Sequence, residues 1–248
     1  MYYNLRGRRL GKLRYRTELK YLIDLKEYAV LKSGLSAAFK RDPYSLESGG
    51  YGIRSLYFDD VYDTDYFTKL SGVLERKKYR IRMYNNDPSL IKLEKKVKVN
   101  NASYKLSTTI TREQAESMIS GNYGFMLDSD NELLNEIYVA NAHRVLRPSV
   151  ITDYFREAFI YEPFNVRITF DEHLATGLMS DDFFLPELSL LPVTSPSQMI
   201  LEVKYDEALP TVAKDLLSCV DKTVIAVSKF TACKRYIALN GWEVEKWG

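Results

Sequence analysis

The 248-residue chain is poor in the residues that mark most familiar active sites. It has two cysteines, Cys219 and Cys233, with no metal-ligand spacing. That argues against a zinc knuckle and a disulfide scaffold and suits a reducing compartment, so a cytoplasmic location is expected. Its two histidines, His143 and His173, are too few for an imidazole metal site, and neither sits in a catalytic motif. Any metal must be held by oxygen, which points to Mg2+ or Mn2+. No apolar run approaches the roughly 20 residues needed to span a bilayer. The N-terminal MYYNLRGRRLGKLRYR is basic without an apolar core behind it, and is not read as a signal peptide. There is no Gly-rich phosphate loop of either common kind and no Ser-His-Asp arrangement. Phosphate would have to be gripped by side-chain cations, a task suited to the forked guanidinium of arginine.

What the chain does have is a set of strands with charge on one face. Lys78, Arg80 and Arg82 alternate with Tyr79, Ile81 and Met83. Lys92, Glu94, Lys96 and Lys98 alternate with Leu93 and Val97, with Lys95 breaking the pattern. Arg16, Glu18 and Lys20 oppose Leu19 and Tyr21, and Arg156 follows Tyr154. Arg167, Thr169 and Asp171 oppose Ile168 and Phe170, and Glu202 and Lys204 oppose Leu201, Val203 and Tyr205. Side chains in a strand alternate with period two, so each set shares a face. These faces carry eleven basic and four acidic residues, a net of +7, against +2 for the whole chain and hence −5 for the remainder. A wet outer face is the ordinary reading of one such strand. Like charges across neighbouring strands repel, however, and a sheet with one polar face can close into a barrel with that face inside. The pattern predicts a basic interior that binds an anion. Arg76, Lys77 and Lys95 are read as surface, Lys98 as solvated, and Lys105 as possessing a solvated alternative.

The expected fold is α+β: a closed eight-stranded antiparallel tunnel with a basic interior, surrounded by helices. No boundary is strong enough to divide residues 1–248, and residues 1–12 are expected to be a flexible extension. Strands are predicted at 13–22, 53–58, 76–84, 90–99, 103–110, 150–160, 165–171 and 199–205. Capping boxes Asp24/Glu27, Thr111/Gln114 and Ser129/Glu132 open three helices, the third running through Leu146 before Pro148. Further helices are expected near 207–218 and 228–239. Asp59, Asp60, Asp63 and Asp65 are read as capping a helix start. The proline-bearing stretch 180–197 is read as a mobile loop or short edge pieces.

In order along the chain, Arg16-x-Glu18-x-Lys20-Tyr21, Ser55-Leu56-Tyr57-Phe58-Asp59, Lys78-x-Arg80-x-Arg82-x-Tyr84, Leu93-Glu94-x-Lys96, Tyr154-x-Arg156-Glu157-Ala158-Phe159, Val166-Arg167-Ile168-Thr169-Phe170-Asp171, Leu201-Glu202-Val203-Lys204-Tyr205 and Ser228-Lys229-Phe230 resemble the strands of the triphosphate tunnel (CYTH-like) metalloenzymes. The Tyr-x-Arg-x-Ala-Phe stretch and the Ser-Lys-Phe helix start are similar to the VTC domain, the polyphosphate polymerase domain of the vacuolar transporter chaperone complex. The likeness runs from about residue 13 to 240. It implies that Lys20, Arg80, Arg82, Lys96, Arg156 and Lys229 hold phosphates, with Tyr154 and Ser228 adding hydroxyls and Arg167 and Lys204 as further contacts. It implies Glu202 as the metal carboxylate, with Glu18 and Glu94 holding metal or orienting cations. The wider superfamily opens with Glu-x-Glu-x-Lys; Arg16 replaces the first Glu, which favours the polymerase branch. The chain carries neither the regulatory inositol-phosphate domain nor the membrane segments of the eukaryotic complex, so a stand-alone microbial form is expected.

The activity so implied is metal-dependent transfer of the ATP γ-phosphoryl group to a polyphosphate chain, with Mn2+ or Mg2+ as cofactor. Hydrolysis of triphosphate in the same tunnel and non-catalytic polyphosphate binding are the alternatives. Expected partners are ATP and polyphosphate or triphosphate, not nucleic acid, which calls for an exposed basic stripe. The sequence shows no transmembrane segment and leaves a membrane-protein partner open.

Overall fold

Alternating polar and apolar residues build one antiparallel sheet that curls until its edges meet. The computed structural model describes residues 16–100, 102–127, 129–178, 182–220 and 228–240. The expected extension at 1–12 lies outside the described residues. The strands are β1 (Arg16–Asp24), β2 (Lys40–Arg41), β3 (Tyr51–Asp59), β4 (Glu75–Tyr84), β5 (Asp87–Val99), β6 (Ala102–Ile110), β7 (Arg147–Tyr161), β8 (Val166–Thr176), β9 (Leu191–Pro192) and β10 (Gln198–Tyr205). Eight of them form a ring in the order β7-β3-β4-β5-β6-β1-β10-β8, closed by pairing of β8 back onto β7. The two-residue β2 and β9 attach to β7 and β8. The tunnel expected from the sequence is therefore present. Among the described residues its thinnest junction is β1 with β6, joined at Arg16↔Ser103 and Thr17↔Ala102.

Helices cover the ring because its outward faces are apolar. α1 (Leu25–Ala38) begins at the predicted box: Asp24 accepts from the amides of Lys26 and Glu27, and Glu27 accepts from the Asp24 amide. Its buried Leu31 and Leu35 join α5 (Thr211–Leu217) against Phe159, Ile168, Phe170, Leu201 and Val203. α3 (Arg112–Ile119) starts at the predicted Thr111/Gln114 box. With α4 (Glu132–Arg144) it covers Leu56, Phe58, Tyr79, Ile81, Met83 and Leu93. Truncating a fully buried core leucine such as Leu31 to alanine costs about 2–5 kcal/mol. α2 (Thr64–Leu70) lies beside β3 and β4. α6 (Lys229–Leu239) differs: it packs Phe230, Cys233 and Ile237 against a set that includes Tyr57, Val150, Tyr154 and Ile200, which share the inward parity of Arg80, Arg156 and Glu202.

Several expectations are corrected. α4 is capped by Asn131, which accepts from the Leu133 amide, and the Ser129 hydroxyl instead accepts from the Asn131 amide. The helix ends at Arg144, where Val145 adopts φ 52°, and β7 starts at Arg147 and runs through Pro148. Lys95 is not surface: it is 4% exposed and pairs with Glu136 of α4 on the outer side of β5. Arg76 shares the parity of Lys78 and Arg80 and lies across from Lys98. Part of the 180–197 stretch is anchored, since Phe183 is buried and Arg54 donates to the carbonyl of Leu185 at 2.6 Å. Between β4 and β5, Asn85 and Asn86 both take positive φ (53° and 56°), as a two-residue hairpin requires.

Candidate functional site

The inward faces meet in two linked ionic clusters. In the first, Arg156 on β7 donates to both oxygens of Asp171 on β8, at 2.5 and 2.7 Å, and to Glu202 on β10 at 3.2 Å. Lys229, the first residue of α6, also bonds Asp171. Glu202 holds Lys204 at 2.9 Å and Lys20 at 3.7 Å. Lys20 in turn reaches Glu18 at 2.9 Å, and Glu18 accepts from Lys96 at 2.6 Å and from Ser103 at 3.4 Å. The chain of contacts thus spans β7, β8, β10, β1, β5 and β6.

The second cluster centres on Glu94 of β5, which is 1% exposed. Arg80 donates to it from Nε at 2.7 Å and from Nη1 to the Tyr57 hydroxyl at 2.8 Å. Lys105 bonds the other carboxylate oxygen, and Arg82 lies 4.0 Å away. Arg82 donates to Ser55 at 2.9 Å and to the Tyr154 hydroxyl at 3.3 Å. The Tyr154 ring also lies under Arg156 and Lys229. Lys78 donates to the Ser228 hydroxyl at 2.9 Å and sits over the Phe230 ring.

The close approach of the loop before β3 helps frame this wall. At Gly50 a Cβ would meet the Arg156 carbonyl oxygen at 2.3 Å, so only glycine lets the loop lie there.

Nine basic groups (Lys20, Lys78, Arg80, Arg82, Lys96, Lys105, Arg156, Lys204 and Lys229) face four carboxylates (Glu18, Glu94, Asp171 and Glu202) in these clusters. The excess shows in the titration of the groups among them. Burial would raise the Tyr57 phenol, but Arg80, Arg82 and Lys229 outweigh it and lower its pKa. Burial likewise works against ionised Glu94 and Glu202, yet the surrounding cations hold both well below the usual carboxylate range. Asp171 is held at about 2 against its own burial, chiefly by Arg156 and Lys229. Burial lowers Lys204 to about 8 despite Glu202 and Glu18. Lys20 shows the reverse balance: Glu202 and Glu18 overcome burial and raise it. Buried pairs of this kind contribute little net stability, because desolvation consumes the Coulomb gain. A protein that retains so many has a use for the charge.

Of the residues singled out from sequence, Lys20, Arg80, Arg82, Lys96, Tyr154, Arg156, Lys204, Lys229, Glu18, Glu94 and Glu202 come together here. Ser228 joins them through Lys78. Arg167 stands apart from both clusters, held by Asp42 and by the Tyr51 hydroxyl at 2.7 Å. Arg16 occupies no metal position; it pairs with Asp206 at 3.0 Å. Lys105 is both solvent-exposed and bonded to Glu94, so its solvated reading stands beside its place in the wall. Asp171, Tyr57 and Lys78 carry no individual role in the reading from sequence, although all three lie at inward parity, and parity is the signal that marks them.

Among the described residues no group of three or more His, Cys, Asp or Glu is arranged to hold a metal ion. Glu18 and Glu202 do lie side by side, each charge acting on the other, with Lys20 between them. One or two carboxylates completed by substrate phosphate oxygens is the usual Mg2+ environment, so this pair fits such an ion. Glu94 shares no cation with either and belongs to the Arg80 clamp. Among the described residues no helix is long and apolar enough to cross a membrane.

The model of the VTC domain family matches residues 15–237. Among solved structures, a candidate adenylate cyclase from Bacillus halodurans superposes with a TM-score of 0.53 at 12% identity, covering 88% of this chain and 96% of its own. A candidate adenylate cyclase from Vibrio parahaemolyticus gives 0.44 at 14% identity, covering 84% and 87%. The Mimivirus capping enzyme triphosphatase gives 0.36 at 12% identity, covering 84% and 88%. The first likeness shows a shared tunnel fold. No curated protein matches the sequence.

Proposed function

The chain belongs to the VTC domain family, and from that premise we propose that it is a metal-dependent polyphosphate polymerase acting inside the tunnel. The observation that carries the reading is the convergence of nine basic groups on four carboxylates within a closed ring of strands. Such an interior suits a ligand with many phosphate charges and no sequence to be read.

Phosphoryl transfer depends mainly on alignment and charge neutralisation. Arg80, Arg82 and Arg156 grip equatorial phosphate oxygens, and Lys20, Lys96 and Lys229 add point charges along the wall. Tyr154 and Ser228 supply hydroxyls, and Lys204 a further ammonium. Arg167 meets the chain away from the central clusters. The attacking atom is a terminal oxygen of the polyphosphate; its bond to the γ-phosphorus forms as the β–γ bridge breaks, and ADP leaves. No protein nucleophile is required. Mg2+ or Mn2+ at Glu202 and Glu18 would neutralise phosphate oxygens of the donor, while the same carboxylates otherwise orient Lys20, Lys96 and Lys204.

The test is incubation of the purified protein with ATP and Mn2+, followed by sizing of the product on a gel. Long anionic chains are expected. Inorganic phosphate alone would identify a hydrolase instead, and tight tripolyphosphate binding without turnover across several metals would identify a binding module.

A further inference from the structure

The cations of the two central clusters bond Glu18, Glu94, Asp171 or Glu202, or in the case of Arg82 approach Glu94 at 4.0 Å. Lys78 is different. Its Nζ donates to Ser228 Oγ at 2.9 Å and lies 4.4 Å from the centre of the Phe230 ring. Among the described residues its contacts include no carboxylate within ion-pair range. Ser228 is the N-cap of α6, yet its hydroxyl makes no bond to the first turn of that helix. Its oxygen accepts from Lys78, which leaves the O–H to donate. The ammonium spends one of its three protons on that contact. Two donor groups with unspent protons therefore stand together where the basic wall meets α6. On the Phe230 side lie Tyr57, Tyr66, Cys233 and Ile237, an apolar cluster.

We propose that Lys78 and the Ser228 hydroxyl form an additional phosphate seat that takes the terminal phosphate of a polyphosphate or triphosphate chain. This rests on the reading of the tunnel given above. The seat marks a chain end because, among the described residues, the apolar cluster beyond it offers no cation for another phosphate. Its charge depends on its occupant. Lys20 on β1, Lys96 on β5 and Lys69 on α2 all crowd Lys78, and Asp65 on α2 counters them only in part. Burial first, then Lys20 and Lys96, hold its pKa well below that of an ordinary lysine. An arriving phosphate reverses that balance, so binding draws a proton onto Lys78.

The experiment is calorimetric titration of tripolyphosphate into wild type, Lys78→Met and Lys78→Arg at pH 8, each in two buffers of different ionisation enthalpy. Wild type is expected to take up protons on binding. Lys78→Met should bind about tenfold more weakly or worse, with less proton uptake, while its melting temperature holds or rises because repulsion with Lys20 and Lys96 is relieved. Lys78→Arg should keep the affinity and lose the Lys78 share of the uptake, since guanidinium is charged throughout, leaving only the share of Lys204, which titrates at about 8. Unchanged affinity and uptake in Lys78→Met overturns the seat. Should that variant fail to fold, unchanged uptake in Lys78→Arg overturns it. Wild type that binds tripolyphosphate but makes no polymer from ATP defeats the polymerase reading and leaves the seat to be judged by its variants; wild type that does not bind tripolyphosphate defeats both.

Discussion

Arg156 and Asp171 face each other directly across β7 and β8 and share two hydrogen bonds, at 2.5 and 2.7 Å, with the carboxylate 1% exposed. Lys229 bonds the same carboxylate, so a single side chain ties two neighbouring strands to the start of α6. Asp171→Asn would leave two buried cations short of a partner. A loss of about 3–5 kcal/mol at pH 7 is expected from urea unfolding. The folded pKa near 2 lies below the ordinary 3.8, so this contribution is complete above about pH 4 and fades as pH falls toward 2. The difference between variant and wild type should shrink over that interval. A variant as stable as wild type at pH 7 would refute the account.

Arg80 presents a contrasting case. Its removal leaves Glu94 with Lys105 and Arg82 nearby, so Arg80→Ala should fold. Polymer synthesis from ATP should fall about 100-fold or more, because a cation opposite the transferring group is lost. Lys229→Ala should behave similarly, Asp171 keeping Arg156. Circular dichroism melting run beside the synthesis assay separates the two effects, and sustained synthesis in either variant would remove the tunnel from the chemistry.

The three glutamates should divide by metal response. Glu202→Gln and Glu18→Gln are expected to raise the Mn2+ concentration needed for half-maximal activity. Glu94→Gln should leave that requirement unchanged while lowering maximal activity, since its task is to hold Arg80. Metal titrations of the three variants decide the matter; an equal shift in all three would contradict the division.

Asp65 gives a pH signature outside the tunnel. It is 5% exposed and bonds Arg144 at 2.9 Å, an arginine it shares with Asp59 and Asp60. Burial, followed by the charge of Asp59, pushes its pKa up to about 7 despite Arg144. The unfolded chain ionises this group near 3.8, so keeping it ionised in the fold costs stability that grows from about pH 4 to pH 7. Asp65→Asn should match wild type near pH 4 and exceed it by about 1–2 kcal/mol at pH 8. A variant less stable than wild type at pH 8 would reverse the assignment.

Much of the tunnel could be read from parity. Lys78, Arg80 and Arg82 alternate with Tyr79, Ile81 and Met83, and the helices cover the apolar set as that alternation demands. The capping boxes at Asp24 and Thr111 were equally legible because they depend on residues three apart. Lys95 was misread because its partner, Glu136, is 41 residues away on α4, and a strand pattern carries no record of the helix laid over it. Arg167 was visible as a cation on the charged face, but its capture by Asp42 depends on the path of a loop. The capping read into the acidic run from Asp59 to Asp65 holds for its first two members: Asp59 accepts from the amides of Asp60, Asp65 and Tyr66, and Asp60 from that of Thr64. Asp63 at the N-cap makes no side-chain cap bond, and Asp65 pairs with Arg144. The grip of the run on Arg144 was not local enough to see.

The interior carboxylates set how a long anion would travel. Each central cation that a phosphate would engage is already held by Glu18, Glu94, Asp171 or Glu202, apart from Lys78 and the loosely held Arg82, and the outlying Arg167 is held by Asp42. A phosphate entering the row borrows a partner and returns it on leaving. For a ligand of identical repeating units, neighbouring positions then differ little in energy, and the strand can advance by one unit without ever being released.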